Sequence, residues 1–197
     1  MNKKLVGSAV VGAVVLGIVV IQVLPSGGAT PPPAPAPATE SVTAPPSTQV
    51  GHLQVYRSPD AADGRGWNFE IPVPDWAVAN VDERATRTDP TGRLVLETNR
   101  IPLTQEDPLS GLRALEHSTH HESGYHLTSV AEHAQVGSCD AAEWDYTYDR
   151  AGVARQVSLV AVGIGDTMVT IGFDAPAADF AANRSVLDRA LEVSDAG

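Results

Sequence analysis

No residue from Leu5 to Leu24 is charged; the run is Val, Ile, Leu, Ala and Gly with one Ser and one Gln. Such a segment has no polar face to show to water, so it cannot sit on the surface of a soluble core. As a helix rising about 1.5 Å per residue it matches the roughly 30 Å hydrocarbon layer of a bilayer. Lys3 and Lys4 precede it and the next basic residue is Arg57. The positive-inside tendency therefore keeps the N-terminus in the cytoplasm and exports everything after Leu24. Residues 1–24 are read as a signal anchor. A secretory signal peptide has a shorter apolar core, about 7–15 residues, followed by a small-residue cleavage site. Gly27–Ala29 offers such a site, but the length of the run favours the uncleaved anchor. No cysteine lies near its end, which argues against a lipid-modified lipoprotein. Ala9, Ala13 and Gly17 form a small-residue stripe of the kind that supports helix pairing.

Residues 25–49 are rich in Pro, Ala, Ser and Thr and almost free of large apolar side chains. They cannot build a core, and their prolines favour an extended spacer. The foldable part is residues 50–197. Setting aside Lys3, Lys4 and Glu40, it carries eleven arginines against twenty-three acidic residues. That balance argues against nucleic acid, or an anionic membrane surface, as a partner of this part. The single cysteine, Cys139, cannot close an intramolecular disulfide, so burial must hold the domain together. Cys139 itself reads as a small buried residue.

Trp67, Phe69 and Ile71 alternate, break at Pro72 and Pro74, and resume at Trp76 and Val78, which predicts two short strands joined by a proline turn. Asp89-Pro90-Thr91-Gly92 is a turn signal ahead of a strand from Arg93 to Ile101, with Leu94 and Leu96 on one face. After Asp107-Pro108, an N-cap and first-turn pair, Leu109, Leu112, Leu115 and Thr119 recur at helical spacing up to Gly124. A strand begins near His126. Ala142, Trp144, Tyr146 and Tyr148 then share one strand face, with Glu143, Asp145 and Thr147 on the other. Two further strands flank the turn Gly163-Ile164-Gly165-Asp166, and a last helix points Phe180, Leu187 and Leu191 inward. Strands, helix, four strands and helix predict an α+β fold, an antiparallel β-sheet flanked by helices.

Several phrases, "FEIPVPDW" (69–76), "GYHLTSV" (124–130), "AAEWDYTY" (141–148) and "FDAPAADFAANRSVLDRAL" (173–191), resemble the Mog1/PsbP-like domains found outside the membrane in actinobacteria. Such domains occur in LpqN-type lipoproteins and as the outer domains of some serine/threonine kinases. The resemblance covers nearly all of Gly66 to Ser194. It implies an α/β/α sandwich and mostly non-catalytic binding or assembly roles, and it supplies no catalytic residues. Only four residues precede the apolar run, so a cytoplasmic kinase domain is not expected. Proteins associated with type VII secretion, with one span and a small outer domain, are the alternative context.

The densest chemistry is "HSTHHESGYH", four of the six histidines in residues 117–126. On a helix, His117 and His121 stand four apart, a spacing that can chelate a metal, with Glu116 or Glu122 as a third ligand. The zinc-protease order H-E-x-x-H is absent. A helix through this stretch also turns His117, His120 and His121 away from the leucines, so they read as a solvent face, and neither metal nor other cofactor is expected. Gly163-Ile164-Gly165 joins two strands rather than a strand and a helix, so it is not a nucleotide loop. No serine elbow is present, Cys139 has no evident base, and nothing singles out Asp145 and Asp149 among the many carboxylates. Trp144, Tyr146 and Tyr148 read as core rather than as a ligand cage. The expectation is a non-enzymatic, single-pass protein of the cell envelope whose outer domain binds or senses an envelope protein, lipid or wall ligand. Its alternative is an accessory subunit of a membrane assembly; a metal-binding or hydrolytic protein ranks below both.

Overall fold

The clearest alternation in the sequence becomes the centre of the molecule. Strands β7 (Cys139–Arg150), β8 (Val153–Ile164) and β9 (Thr167–Pro176) run antiparallel in chain order. Two-residue turns join them: Ala151-Gly152, with φ of 50° and 79°, and Gly165-Asp166, with Gly165 at 61°. Positive φ at these positions matches the right-handed twist of the flanking strands. The free side of β9 takes β5 (Val95–Pro102), followed outward by β4 (Arg84–Thr88) and β3 (Ala77–Val81). β6 (His126–Val136) closes the other side, giving the order β3-β4-β5-β9-β8-β7-β6.

This computed structural model describes residues 50–58, 66–119 and 121–196. The expected anchor at 1–24 and the spacer at 25–49 lie outside the described residues. Among the described residues no helix is long and apolar enough to cross a membrane.

Both faces of the large sheet are covered. One carries Leu96, Val160, Val162, Ile171 and Phe173, packed beneath a three-stranded sheet and two short helices. That sheet is β1 (Val50–Arg57), β2 (Asn68–Pro74) and β10 (Ser194–Ala196), in the order β1-β2-β10. The helices are α2 (Ala177–Asn183) and α3 (Ser185–Ala190), which bury Phe180, Val186 and Leu187. The opposite face carries Trp144, Tyr146, Leu159, Ala161 and Met168 beneath α1 (Pro108–Ser118). Asp107 caps α1 as expected, its Oδ1 accepting from Ser110 N at 2.7 Å. The first turn lies flat on β8 because Gly163 has no side chain there; a Cβ would meet Pro108 Cγ at 2.8 Å.

The antiparallel sheet flanked by helices is thus present, with differences of detail. The layer opposite α1 is part sheet and part helix. β2 runs through Pro72 instead of breaking at it. There Leu53 of β1 is opposite on one side, while β10 reaches only to Glu70 on the other. β2 is therefore an edge at Pro72, where a missing N–H is tolerated. β3 does not continue the alternation inward: it is exposed along its whole length, Val78 included, because it is the sheet's edge. The last helix is two helices that meet at Arg184, whose side chain pairs with Glu143 Oε1 at 2.7 Å.

Candidate functional site

α1 rests on β6, β7 and β8, so it sits to one side of the sheet face it covers. On the same face, β4, β5 and β9 carry polar side chains that line up by register. Glu97 stands opposite Gly172, Asn99 opposite Thr170, and Asp174 opposite Val157, which in turn faces Tyr146. These residues form a polar band beside the aromatic row of β7.

Each carboxylate of the band is held by an arginine. Glu97 Oε2 accepts from Arg84 Nε at 2.9 Å and from Thr86 Oγ1 at 3.3 Å. Asp174 Oδ1 accepts from Arg155 Nε at 2.7 Å, and its Oδ2 accepts from the Tyr148 hydroxyl at 2.8 Å. Arg155 is nearly enclosed and spends another N–H on Arg93 O at 2.8 Å. Burial raises the pKa of Glu97 and the charge of Asp174 adds to that push, while Arg84 works against both. Burial also pushes the Tyr148 phenol up, reinforced by Asp174.

Tyr146 is different. It is 6 % exposed, and its hydroxyl has no hydrogen-bond partner among the described residues. The polar side-chain atoms fully enclosed without a partner are Asn68 Oδ1 and Arg87 Nη1. The Tyr146 hydroxyl is not among them, so it keeps some contact with solvent. Burial drives its pKa far up, and the charges of Asp174 and Glu97 push it further. Tyr146 shares a row across the sheet with Asp174, since Tyr146 stands opposite Val157 and Val157 opposite Asp174.

The histidine cluster is dispersed. α1 ends at Ser118, not near Gly124; Thr119 turns back, its Oγ1 donating to Leu115 O at 2.6 Å. His117 and His121 are therefore not one helical turn apart, so the spacing that could have chelated a metal on a continuous helix is absent. His120 lies outside the described residues. His117 is exposed in the last turn, and His126 opens β6. His121 is not part of a wet helix face: its ring stacks on Tyr125 with centroids 3.6 Å apart and planes 6° apart, edge-on to Trp144. Its Nε2 lies 3.4 Å from Glu116 Oε1, which also accepts from the Tyr125 hydroxyl at 3.0 Å. Burial, with the Glu116 carboxylate, raises the Tyr125 phenol to about 12. Gly124, at φ 68°, makes the tight return into β6. Among the described residues no three His, Cys, Asp or Glu side chains converge as a metal ion requires. His117→Ala is expected to leave stability unchanged. His121→Ala is expected to cost about 1 kcal/mol, the worth of a packed ring pair. Urea melts check both, and equal stability of the two variants would contradict the stacking.

Cys139 is half-buried against the core at the β6–β7 turn. Asp145 accepts from Ser129 Oγ at 3.0 Å, while Asp149 is exposed near the far end of β7, so the two do not work together. Reading the sequence missed Glu97, Asn99, Asp174 and Arg155. The signal for Glu97 was its place in "LVLETNRI", where Leu94 and Leu96 are apolar on one face and Val95 on the other.

The family described as serine/threonine kinase C-terminal domain matches residues 61–193. No curated protein matches the chain. Among solved structures, LpqN, involved in cell envelope biogenesis of Mycobacterium tuberculosis, is similar with TM-score 0.52 at 17 % identity, over 76 % of this chain and 95 % of that one. Cyanobacterial PsbP from Synechocystis has TM-score 0.48 at 13 % identity, over 74 % and 95 %.

Proposed function

We propose, from the premise that the chain belongs to the family of serine/threonine kinase C-terminal domains, that it is a non-catalytic binding module held on the outer side of the cytoplasmic membrane. The fold is the Mog1/PsbP-like one, as in LpqN. The observation that carries the reading is the state of the polar band. Its two carboxylates are each neutralised by an arginine, while Tyr146 keeps a free hydroxyl. Both carboxylates are engaged within the protein, Glu97 by Arg84 and Thr86 and Asp174 by Arg155 and Tyr148, which suits a fixed recognition surface better than turnover. In this reading residues 1–24 anchor the chain, residues 25–49 space the domain from the bilayer, and the ligand is an envelope component. LpqN's part in envelope biogenesis is in keeping with that location.

The test starts from the full-length chain in its native membranes. Protease added to intact spheroplasts is expected to cut the part beyond residue 50, and cross-linking is expected to capture an envelope component. Replacing residues 5–24 with an unrelated anchor is expected to preserve that capture. Loss of capture with the outer domain still folded would instead make the chain a subunit assembled through its span.

A further inference from the structure

We infer that Arg87 is a carboxylate-binding site, where the carboxylate of a small acid or of a chain end displaces the Gln54 amide and takes both terminal nitrogens of the guanidinium. The site lies on the sheet face opposite the polar band, so it goes beyond the binding-module reading and uses none of its residues. Arg87 stands on β4 opposite Leu96, and its side chain reaches Gln54 of β1. It is 8 % exposed. Nη2 donates to Gln54 Oε1 at 2.9 Å, while Nη1 is fully enclosed and has no acceptor. Among the described residues Arg87 forms no ion pair. Arg84, Arg155 and Arg184, by contrast, each meet a carboxylate at 2.9, 2.7 and 2.7 Å. Burial pulls the Arg87 pKa down from its ordinary value. Tyr56 opposes that pull, but burial raises its own phenol to about 12, so it carries no charge near neutral pH. A guanidinium taken out of water without a counter-charge is strongly unfavourable, and buried N–H groups are rarely left unmatched.

The chemistry of the ligand follows from what Arg87 lacks. Its one partner is planar and neutral, an amide with a single acceptor oxygen. A carboxylate has the same shape, adds the missing charge, and carries a second oxygen that can serve Nη1. Such two-point pairing is the arrangement in which arginine binds carboxylates most strongly. Gln54 can give up its place: it is half-buried, and β1 is an edge of the three-stranded sheet. A doubly charged phosphate is opposed more than a carboxylate, because the charges of Glu83 and Glu97 already act on Tyr56 beside the site. A neutral ligand would leave the charge unanswered.

Acetate and acetyl-trialanine present the same carboxylate, one as a small free acid and one as a chain end, so they serve as probes. In the full-length protein labelled with nitrogen-15 at its eleven arginines, Arg87 is the side-chain signal that Arg87→Met removes. Saturable movement of that signal is expected with at least one probe. A response to acetate alone identifies a small free acid, and a response to the peptide identifies a chain end. No saturable movement with either probe overturns the inference. So does an equal response to chloride, or to the peptide with its end amidated. A second measurement needs no ligand. Gln54→Glu sets a carboxylate where the Gln54 amide lies, so it is expected to melt several degrees above the native protein and to weaken the Kd of the probe at least tenfold. A melting temperature at or below the native one would overturn the inference. Envelope capture with a silent Arg87 would sink the carboxylate site and spare the binding module. A carboxylate response without envelope capture would do the reverse.

Discussion

Asp174→Asn is expected to lower the free energy of unfolding by about 3 kcal/mol, the lower end of what breaking a buried ion pair costs. The loss comes less from the carboxylate than from what it leaves behind. Arg155 is nearly enclosed and has Asp174 Oδ1 at 2.7 Å as its counter-charge. Its other recorded bond is to a neutral carbonyl, Arg93 O. An amide at position 174 still fills the space and still offers Tyr148 an acceptor, but it cannot neutralise a guanidinium that water barely reaches. Removing the arginine as well is therefore expected to restore most of the stability: Asp174→Asn with Arg155→Met should melt closer to the native protein than Asp174→Asn alone. Glu97 gives a small opposing contribution, since the charge of Asp174 raises its pKa and that pressure disappears in the variant. Urea unfolding of the native, single and double variants forms the cycle. Strictly additive losses would mean that the two groups do not depend on each other, and the band would then lack the paired character that supports a binding role.

What was legible in the sequence was what neighbours in the chain decide. The Asp107-Pro108 start of α1, the Gly165-Asp166 turn and the alternation of Trp144, Tyr146 and Tyr148 rest on bonds or faces within a few residues, and all are present. The resemblance to Mog1/PsbP-like domains drew on the same local phrases and led to the right sheet. Contacts made at a distance were not legible. α1 stops at Ser118 although its helical spacing continues to Thr119, and His121 packs on Tyr125 and Trp144, contacts that the local spacing does not announce. Ser194–Ala196 has no strand pattern and becomes one because β2 has a free edge from Asn68 to Glu70. Asp174 sat in "FDAP", where the following proline drew attention to the start of a helix. Its partner Arg155 lies across a hairpin, and only register brings the two together. The polar band is for that reason a property of the sheet rather than of any segment.

The turn ahead of β5 shows how far a single local group can carry stability, and how pH should report it. Asp89→Ala is expected to cost about 3 kcal/mol, because hydrogen bonds to a charged acceptor contribute about 1.5–3 kcal/mol and their buried donors would be stranded. Oδ1 of Asp89 accepts from the backbone N–H of Arg93 and of Leu94, both at 2.7 Å. Oδ2 accepts from Thr91 N at 3.1 Å and from the Thr91 hydroxyl at 2.5 Å. Burial alone would push this carboxyl's pKa up, but the bonds from Thr91, Leu94 and Arg93 outweigh it and hold the pKa below its ordinary value. A pKa lower in the folded than in the unfolded chain means that the unfolded chain binds the proton first. The stabilisation is then complete above the unfolded value of about 4 and fades as pH falls through the lower folded value. Glu97 has the opposite sign: its raised pKa gives a contribution that is full below its unfolded value and fades as pH rises through the folded one. Taking the difference between the native protein and Asp89→Asn at each pH removes the Glu97 contribution and leaves that of Asp89. That difference is expected to be flat from pH 7 to about 5 and to shrink steadily in more acid solution. A difference that stays constant down to pH 2 would mean that the carboxylate is not what holds the turn.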